Sequence, residues 1–349
     1  MLSGKDRRYG DSGEKIEKSY ITQAMKFHFK ILILVAVGLV LVVASLCIGT
    51  MMLSPFALMR VFFSNAHGVE YAIVASIRLP RILLALSVGA SLAVSGTVFQ
   101  AVLKNPLADP YIIGVSGGAA LGATIGILLK APPYGITAAA FVASMSTITV
   151  VYLLSKRMRL GSNALILSGL ALGFILSAAV LLMYALSRSE EIHRALLWLM
   201  GDLSEARYED INRAGIIAVF LVLIIMAFHK HLDVISMGDR FSKNLGITEN
   251  NIRLLFWTAS LLSAISVSLA GVIGFVGLII PHYMRNLFGP GHFRLIPVTA
   301  VGGALFLLIS DTIGRSVAPP YEIPVGVITG FLGGIFFLVH ITRKGSGGQ

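Results

Sequence analysis

The chain holds one cysteine, Cys47, in 349 residues. No intrachain disulfide and no cysteine-based zinc site can be built from it, which excludes a disulfide-stapled secreted domain. Charge is also scarce. Asp, Glu, Lys and Arg make up 13% of the residues, where soluble domains carry about 25%. Acids are rarer than bases, 17 against 28, and leave a formal charge of +11. The chain has no Gly-x-x-x-x-Gly-Lys-Ser/Thr loop, so it carries no phosphate cradle of its own for hydrolysing ATP. It also lacks His-Glu-x-x-His, a Cys-x-x-Cys pair, and paired acids at helical spacing inside an apolar run.

What is present is apolar. Hydrophobic residues make up 56% and the mean hydropathy is +0.84. A basic balance alone would suit a nucleic-acid partner, but domains that bind RNA or DNA are polar. Crossing the hydrocarbon takes about 20 apolar residues in a helix, and stretches near that length recur along the chain. Ten are read as helical spans: Phe29–Thr50, Ile77–Leu103, Tyr111–Leu129, Tyr134–Leu154, Asn163–Leu186, Ile211–His229, Ile252–Val272, Phe275–Leu287, Phe293–Arg315 and Ile323–Ile341. The eighth is short and follows a tight Gly-Val-Ile-Gly turn. The expected fold is an all-α polytopic membrane protein. Residues 1–28 form an N-terminal tail, 29–341 the membrane domain and 342–349 a C-terminal tail. A barrel is excluded, because its strands would be about 10 residues of alternating polarity.

Orientation follows from Lys and Arg. With the N-terminus placed inside, Lys5, Lys30, Lys104, Lys156, Arg240, Lys243, Arg285 and Arg343 fall inside with most of the other bases, as the positive-inside rule requires. Both termini are then cytoplasmic. The basic head suits anionic lipid or simply sets topology.

Ser91-Leu-Ala…Pro106 resembles Ser268-Leu-Ala…Pro281, displaced by about half the chain. Two five-span halves, about 29–187 and 208–341, would be inverted relative to each other, a device of transporters. One clear acid lies inside a span: Asp311, four residues before Arg315, which places both on one helix face. A coupling ion is therefore poorly provided for, and energy is expected from a partner.

Two polar constellations stand out. At the outer ends of the second and ninth spans lie Arg78-Leu-Pro-Arg81 and Arg315. They are either docking groups for acidic residues or snorkelling anchors. On the inner side, Ile235–Ile247 reads as a short amphipathic helix with Met237, Phe241 and Leu245 at four-residue spacing and Gly246 as its stop. Its apolar stripe either fills a partner's groove or packs on its own membrane domain.

These pieces together resemble the FecCD-type permeases of ATP-binding-cassette importers, a family that carries ferric siderophores, haem and cobalamin. The motifs are Arg78-Leu-Pro-Arg81, Asn105-Pro-Leu-Ala-Asp-Pro110 with Gly114-Val-Ser-Gly-Gly118, Gly238-Asp239 with Leu245-Gly246, Gly274-Phe-Val-Gly-Leu-Ile-Ile-Pro-His282, and Pro324-Val-Gly-Val-Ile-Thr-Gly330. The resemblance covers about residues 30 to 341. It implies a type II importer permease with a 5+5 inverted repeat, working in the inner membrane of a prokaryote. It further implies a homodimer, two cytoplasmic ATPase subunits and an external substrate-binding protein. The chain itself would hold no cofactor and catalyse nothing, with ATP and Mg on the partner subunits. Arg78, Arg81 and Arg315 would meet acidic residues of the binding protein. Gly238, Asp239, Phe241, Leu245 and Gly246 would form the coupling helix. Ser162 and Asn163 would lie at the cytoplasmic gate, where the family often has Thr-Ser. The family implies no nucleic-acid partner. Related permeases also handle oxyanions such as molybdate, so the substrate stays open, and an ion-coupled secondary transporter is the rival class.

Overall fold

The computed structural model describes residues 5–63, 68–158 and 162–345. Of the two expected tails, residues 1–4 and 346–349 lie outside the described residues. Regular structure among the described residues is helical. It begins with α1 (Lys5–Cys47) and α2 (Pro55–Phe63). The short α3 (Val69–Tyr71) passes through a π-helical stretch, Ala72–Arg78, into α4 (Leu79–Val102). A 3-10 turn, Pro110–Ile113, precedes α5 (Val115–Leu128). Then come α6 (Pro133–Met158), α7 (Ser162–Ala185), α8 (Ser189–Leu199), α9 (Tyr208–Ala227) and α10 (His229–Ser236). The chain closes with α11 (Asp239–Asn244), α12 (Glu249–Ala270), α13 (Val276–Phe288), α14 (His292–Gly314) and α15 (Val325–Gly345).

A helix stands at each expected span, but the helices differ in length. Among the described residues, seven are long and apolar enough to cross a membrane, while Val115–Leu128 and Val325–Val339 are shorter apolar helices. α13 has 13 residues and contains Pro281. Two spans are longer than their apolar runs predict. α1 is one 43-residue helix that carries the polar head directly into the first span. The second span runs without a break from Val69 to Val102.

α4 is the most buried of the seven and packs against α9, α12, α13 and α14. Lipid is as apolar as leucine, so such helices associate by close packing rather than by expelling water. Small residues allow that approach. A Cβ built on Gly96 would overlap the Gly277 carbonyl of α13. Aromatic stacking fills the wider gaps: Phe99 on α4 meets Phe256 on α12 edge-to-face, with centroids 5.8 Å apart.

Local chemistry sets the breaks. Asp109 accepts a hydrogen bond from the Tyr111 amide at 2.9 Å and opens the turn before α5. Thr248 caps α12 through Asn251. Between α12 and α13 the chain turns through Gly271 and a left-handed Phe275 (φ 69°). There the Ile273 amide donates to the Tyr111 hydroxyl at 2.9 Å. This half-buried hydrogen bond ties the Pro110–Ile113 turn to the non-helical backbone before α13, where an unpaired amide would be costly.

Candidate functional site

The first constellation forms where α1, α4 and α14 end together. Arg81, in the first turn of α4, donates from Nε to Asp311 Oδ1 at 2.8 Å and from Nη1 to Glu322 Oε2 at 2.6 Å. Asp311 is completely enclosed, and its second oxygen lies 3.4 Å from Arg315 Nε. Arg315 donates from Nη2 to the Ser45 carbonyl at 2.6 Å. Arg78 has no carboxylate partner among the described residues. Its guanidinium donates to the carbonyls of Leu46 and Cys47 at the end of α1 and of Met51 just beyond it.

Sequence reasoning placed these arginines together, and they are together. It left them as docking groups or snorkelling anchors at the outer helix ends, and in the fold their guanidiniums turn inward. Arg78, Arg81 and Arg315 are only 4%, 7% and 3% exposed. The physical reason is the supply of acceptors. A planar guanidinium with five donors is held wherever carboxylates and carbonyls converge, and here those acceptors lie inside. Asp311 and Arg315 do share one face, as their four-residue spacing predicts. Glu322 and Ser45 were not anticipated. Glu322 left a signal, as the single acid in the apolar stretch Tyr321–Thr329.

The second constellation is on the other side. α10 ends at Ser236, Gly238 takes φ 110°, and α11 begins at Asp239. The expected helix over 235–247 is therefore two pieces, because glycine readily adopts the conformation that breaks it. Gly246, at φ 77°, stops α11 as its position predicts. Met237, Phe241 and Leu245 are 64%, 60% and 61% exposed, so the apolar stripe does not pack on its own membrane domain. The side chain of Asp239 lies outside the described residues.

Asn163 is exposed in the first turn of α7. The Ser162 side chain and residues 159–161 before it lie outside the described residues. α7 itself is mostly unburied, with Leu167, Leu170, Phe174 and Leu181 exposed along it.

Two further polar links lie toward the opposite end of the bundle from the arginines. Gln100 on α4 donates to the Leu278 carbonyl at 3.1 Å and accepts from Arg285 at 3.2 Å. Asp233 on α10 accepts from both the amide and the Nδ1 of His292, at 2.8 and 2.7 Å. A cavity of about 170 Å³ lies between α6, α8 and α9, lined by Trp198, Arg194, Arg207, Asp202 and Glu205 among others. It is smaller than the roughly 300–1,000 Å³ typical of drug-sized ligands, so it does not accommodate a bulky chelate.

Comparison with known proteins follows the same lines. The family model described as the FecCD transport family matches residues 35–343. The Fe(3+)-citrate import system permease protein YfmE of Bacillus subtilis is 36% identical over 311 residues, covering 88% of this chain and 93% of the relative. The cobalamin import system permease protein BtuC of Halobacterium salinarum is 41% identical over 269 residues, covering 76% of this chain and 72% of the relative. The hemin transport system permease protein HmuU of Yersinia pestis is 36% identical, covering 80% and 86%. Among solved structures, an inward-facing metal-chelate type ABC transporter matches with a TM-score of 0.79 at 32% identity, over 91% of this chain and 99% of that one.

Proposed function

This chain belongs to the FecCD transport family, and on that footing we propose that it is the permease of an importer for iron chelates, haem or corrinoids. The observation that carries the reading is the joint match. One family model spans nearly the whole membrane domain, and relatives at 36–41% identity are permeases named for ferric citrate, cobalamin and hemin. The multi-span helical architecture is the one such a task needs. An oxyanion cargo is a second reading, favoured by a 34% identical relative in Haemophilus influenzae named as a molybdate permease.

The mechanism follows from the two ends. Two copies form the path between them, supported by the long exposed apolar face of α7. Two cassette ATPases bind the cytoplasmic side and supply all ATP and Mg chemistry. Phe241, Met237 and Leu245 of α11 fill a groove on them, with Gly238 and Gly246 setting its ends. Ser162 and Asn163 lie at the inner gate. An external binding protein delivers cargo to the opposite face. The arginine cluster there has three cations against two anions. It attracts acidic lobes through its net field rather than through free side chains, since all three guanidiniums are enclosed. Both termini are cytoplasmic in an inner membrane, with the basic head beside anionic lipid. Nucleotide-driven closure then rocks the two copies between outward- and inward-facing states.

The test is reconstitution in liposomes with and without cassette subunits and binding protein, using labelled ferric citrate, haem, cobalamin and molybdate in turn. Uptake of one cargo that requires both companions and internal ATP is expected. Uptake driven by an ion gradient with neither companion present would overturn the proposal.

A further inference from the structure

α14 is anchored at both ends to other elements by buried polar contacts. Its 23 residues span about 35 Å, the full thickness of the hydrocarbon. At its last turns, Asp311 holds Arg81 of α4, and Thr312 donates to the Ser45 hydroxyl of α1 at 2.9 Å. At its first residue, one oxygen of Asp233 accepts both the His292 amide and the His292 ring. The ring is 3% exposed, and its Nε2 has no partner among the described residues. Asp233 is therefore the one polar anchor that the ring has among the described residues.

The position of Asp233 gives this contact a mechanical meaning. It lies on α10, between Leu232 and the buried Ile235, and three residues after Ser236 the chain begins α11. Asp233 thus sits on the arm that carries the exposed Phe241 stripe. Between its ends α14 is held against α4 at the Gly89–Gly303 crossing, where a side chain on either glycine would strike the other's carbonyl, and Pro297 interrupts its hydrogen-bond ladder only near the His292 end. A rod pinned at one end to the α11 arm and at the other to the arginine cluster moves when either end moves.

We infer that the Asp233–His292 contact is the joint through which α11 moves α14, so that Asp233 is a positioning residue linking ATP hydrolysis on the inner side to the state of the arginine cluster on the outer side. The inference rests on the proposed coupling role of α11. It adds a route from that helix into the membrane domain.

The experiment uses the assembled importer in lipid vesicles. ATP hydrolysis is measured with and without the external binding protein, and retention of the cassette subunits by co-purification. Asp233→Ala keeps the cassettes and the basal hydrolysis, but stimulation by the binding protein falls about tenfold, in the range of allosteric coupling energies. Asp233→Asn, which retains an acceptor oxygen, restores most of that stimulation. Asp233→Ala and His292→Ala combined cost no more than Asp233→Ala alone, as members of one joint should. Full stimulation in Asp233→Ala with the cassettes bound overturns the inference and leaves the α11 reading standing. Retention of the cassettes by Phe241→Asp overturns that reading itself. If Asp233→Ala does not fold, His292→Ala alone decides. It removes the ring contact and leaves Asp233 on the backbone amide, so lost stimulation supports the joint and full stimulation refutes it.

Discussion

Asp311 holds two guanidiniums with one enclosed carboxylate. Removing one partner of a buried ion pair leaves the others charged and uncompensated, at a cost of about 3–5 kcal/mol. Asp311→Ala is therefore expected to lower the thermal unfolding midpoint in detergent far more than Glu322→Gln, because Glu322 is 38% exposed and water can replace it. Equal effects would show that the cluster does not hinge on Asp311. Asp109 makes a different prediction. It sits between α4 and α5, and burial pushes its carboxyl up from 3.8 to about 6. Between those values the folded chain holds a proton that the unfolded chain has released, so stability falls as pH rises through that window. Asp109→Asn keeps an acceptor for the Tyr111 amide and removes the titration. Its unfolding midpoint relative to the parent should climb as pH rises from about 4 to about 6 and then level off. A constant difference across that range would place the charge elsewhere. The sequence marked Asp311 and Arg315 as a pair because their spacing is local. It was silent on Ser45 and Glu322 as partners, because contacts between residues far apart in the chain have no period to read.

At the scale of elements, the α4–α13 crossing depends on the absence of side chains. Gly96→Leu would drive carbon into the Gly277 backbone, where no rotamer relieves the overlap. Folded, monodisperse protein should be lost, while Gly215→Leu on α9, with nothing near its Cβ, should purify normally. Comparable yields of the two would disprove the close crossing. Helix positions were legible, since apolar runs and their Gly, Pro and polar punctuation are local features. The eighth span, expected at Phe275–Leu287, is α13 at Val276–Phe288. Where expectation and structure part, a neighbour or one residue explains it. Gly238 splits the amphipathic stretch into α10 and α11. The second span starts at Val69 because helix continues through the π-helical stretch, although the apolar signal rises only near Ile77.

For the whole molecule, α14 connects the two regions that the motifs marked separately. Arg78-Leu-Pro-Arg81 and Gly238–Gly246 lie far apart in the chain, and nothing in their spacing relates them. In the fold, α4 packs along α14 and α10 meets it as well, with Arg81 of α4 at its last turns and Asp233 of α10 at its first residue.

Composition and periodicity alone determined that this is a multi-span helical membrane protein. Its motifs alone identified a permease family, because hydropathy, turn residues and short motifs are written in consecutive positions. Only the tertiary structure decided that the arginines point inward, that the Phe241 stripe stays uncovered and that Asp233 grips the start of α14. Those outcomes depend on which acceptors and surfaces distant segments bring within about 3 Å of one another, and no local pattern encodes that distance.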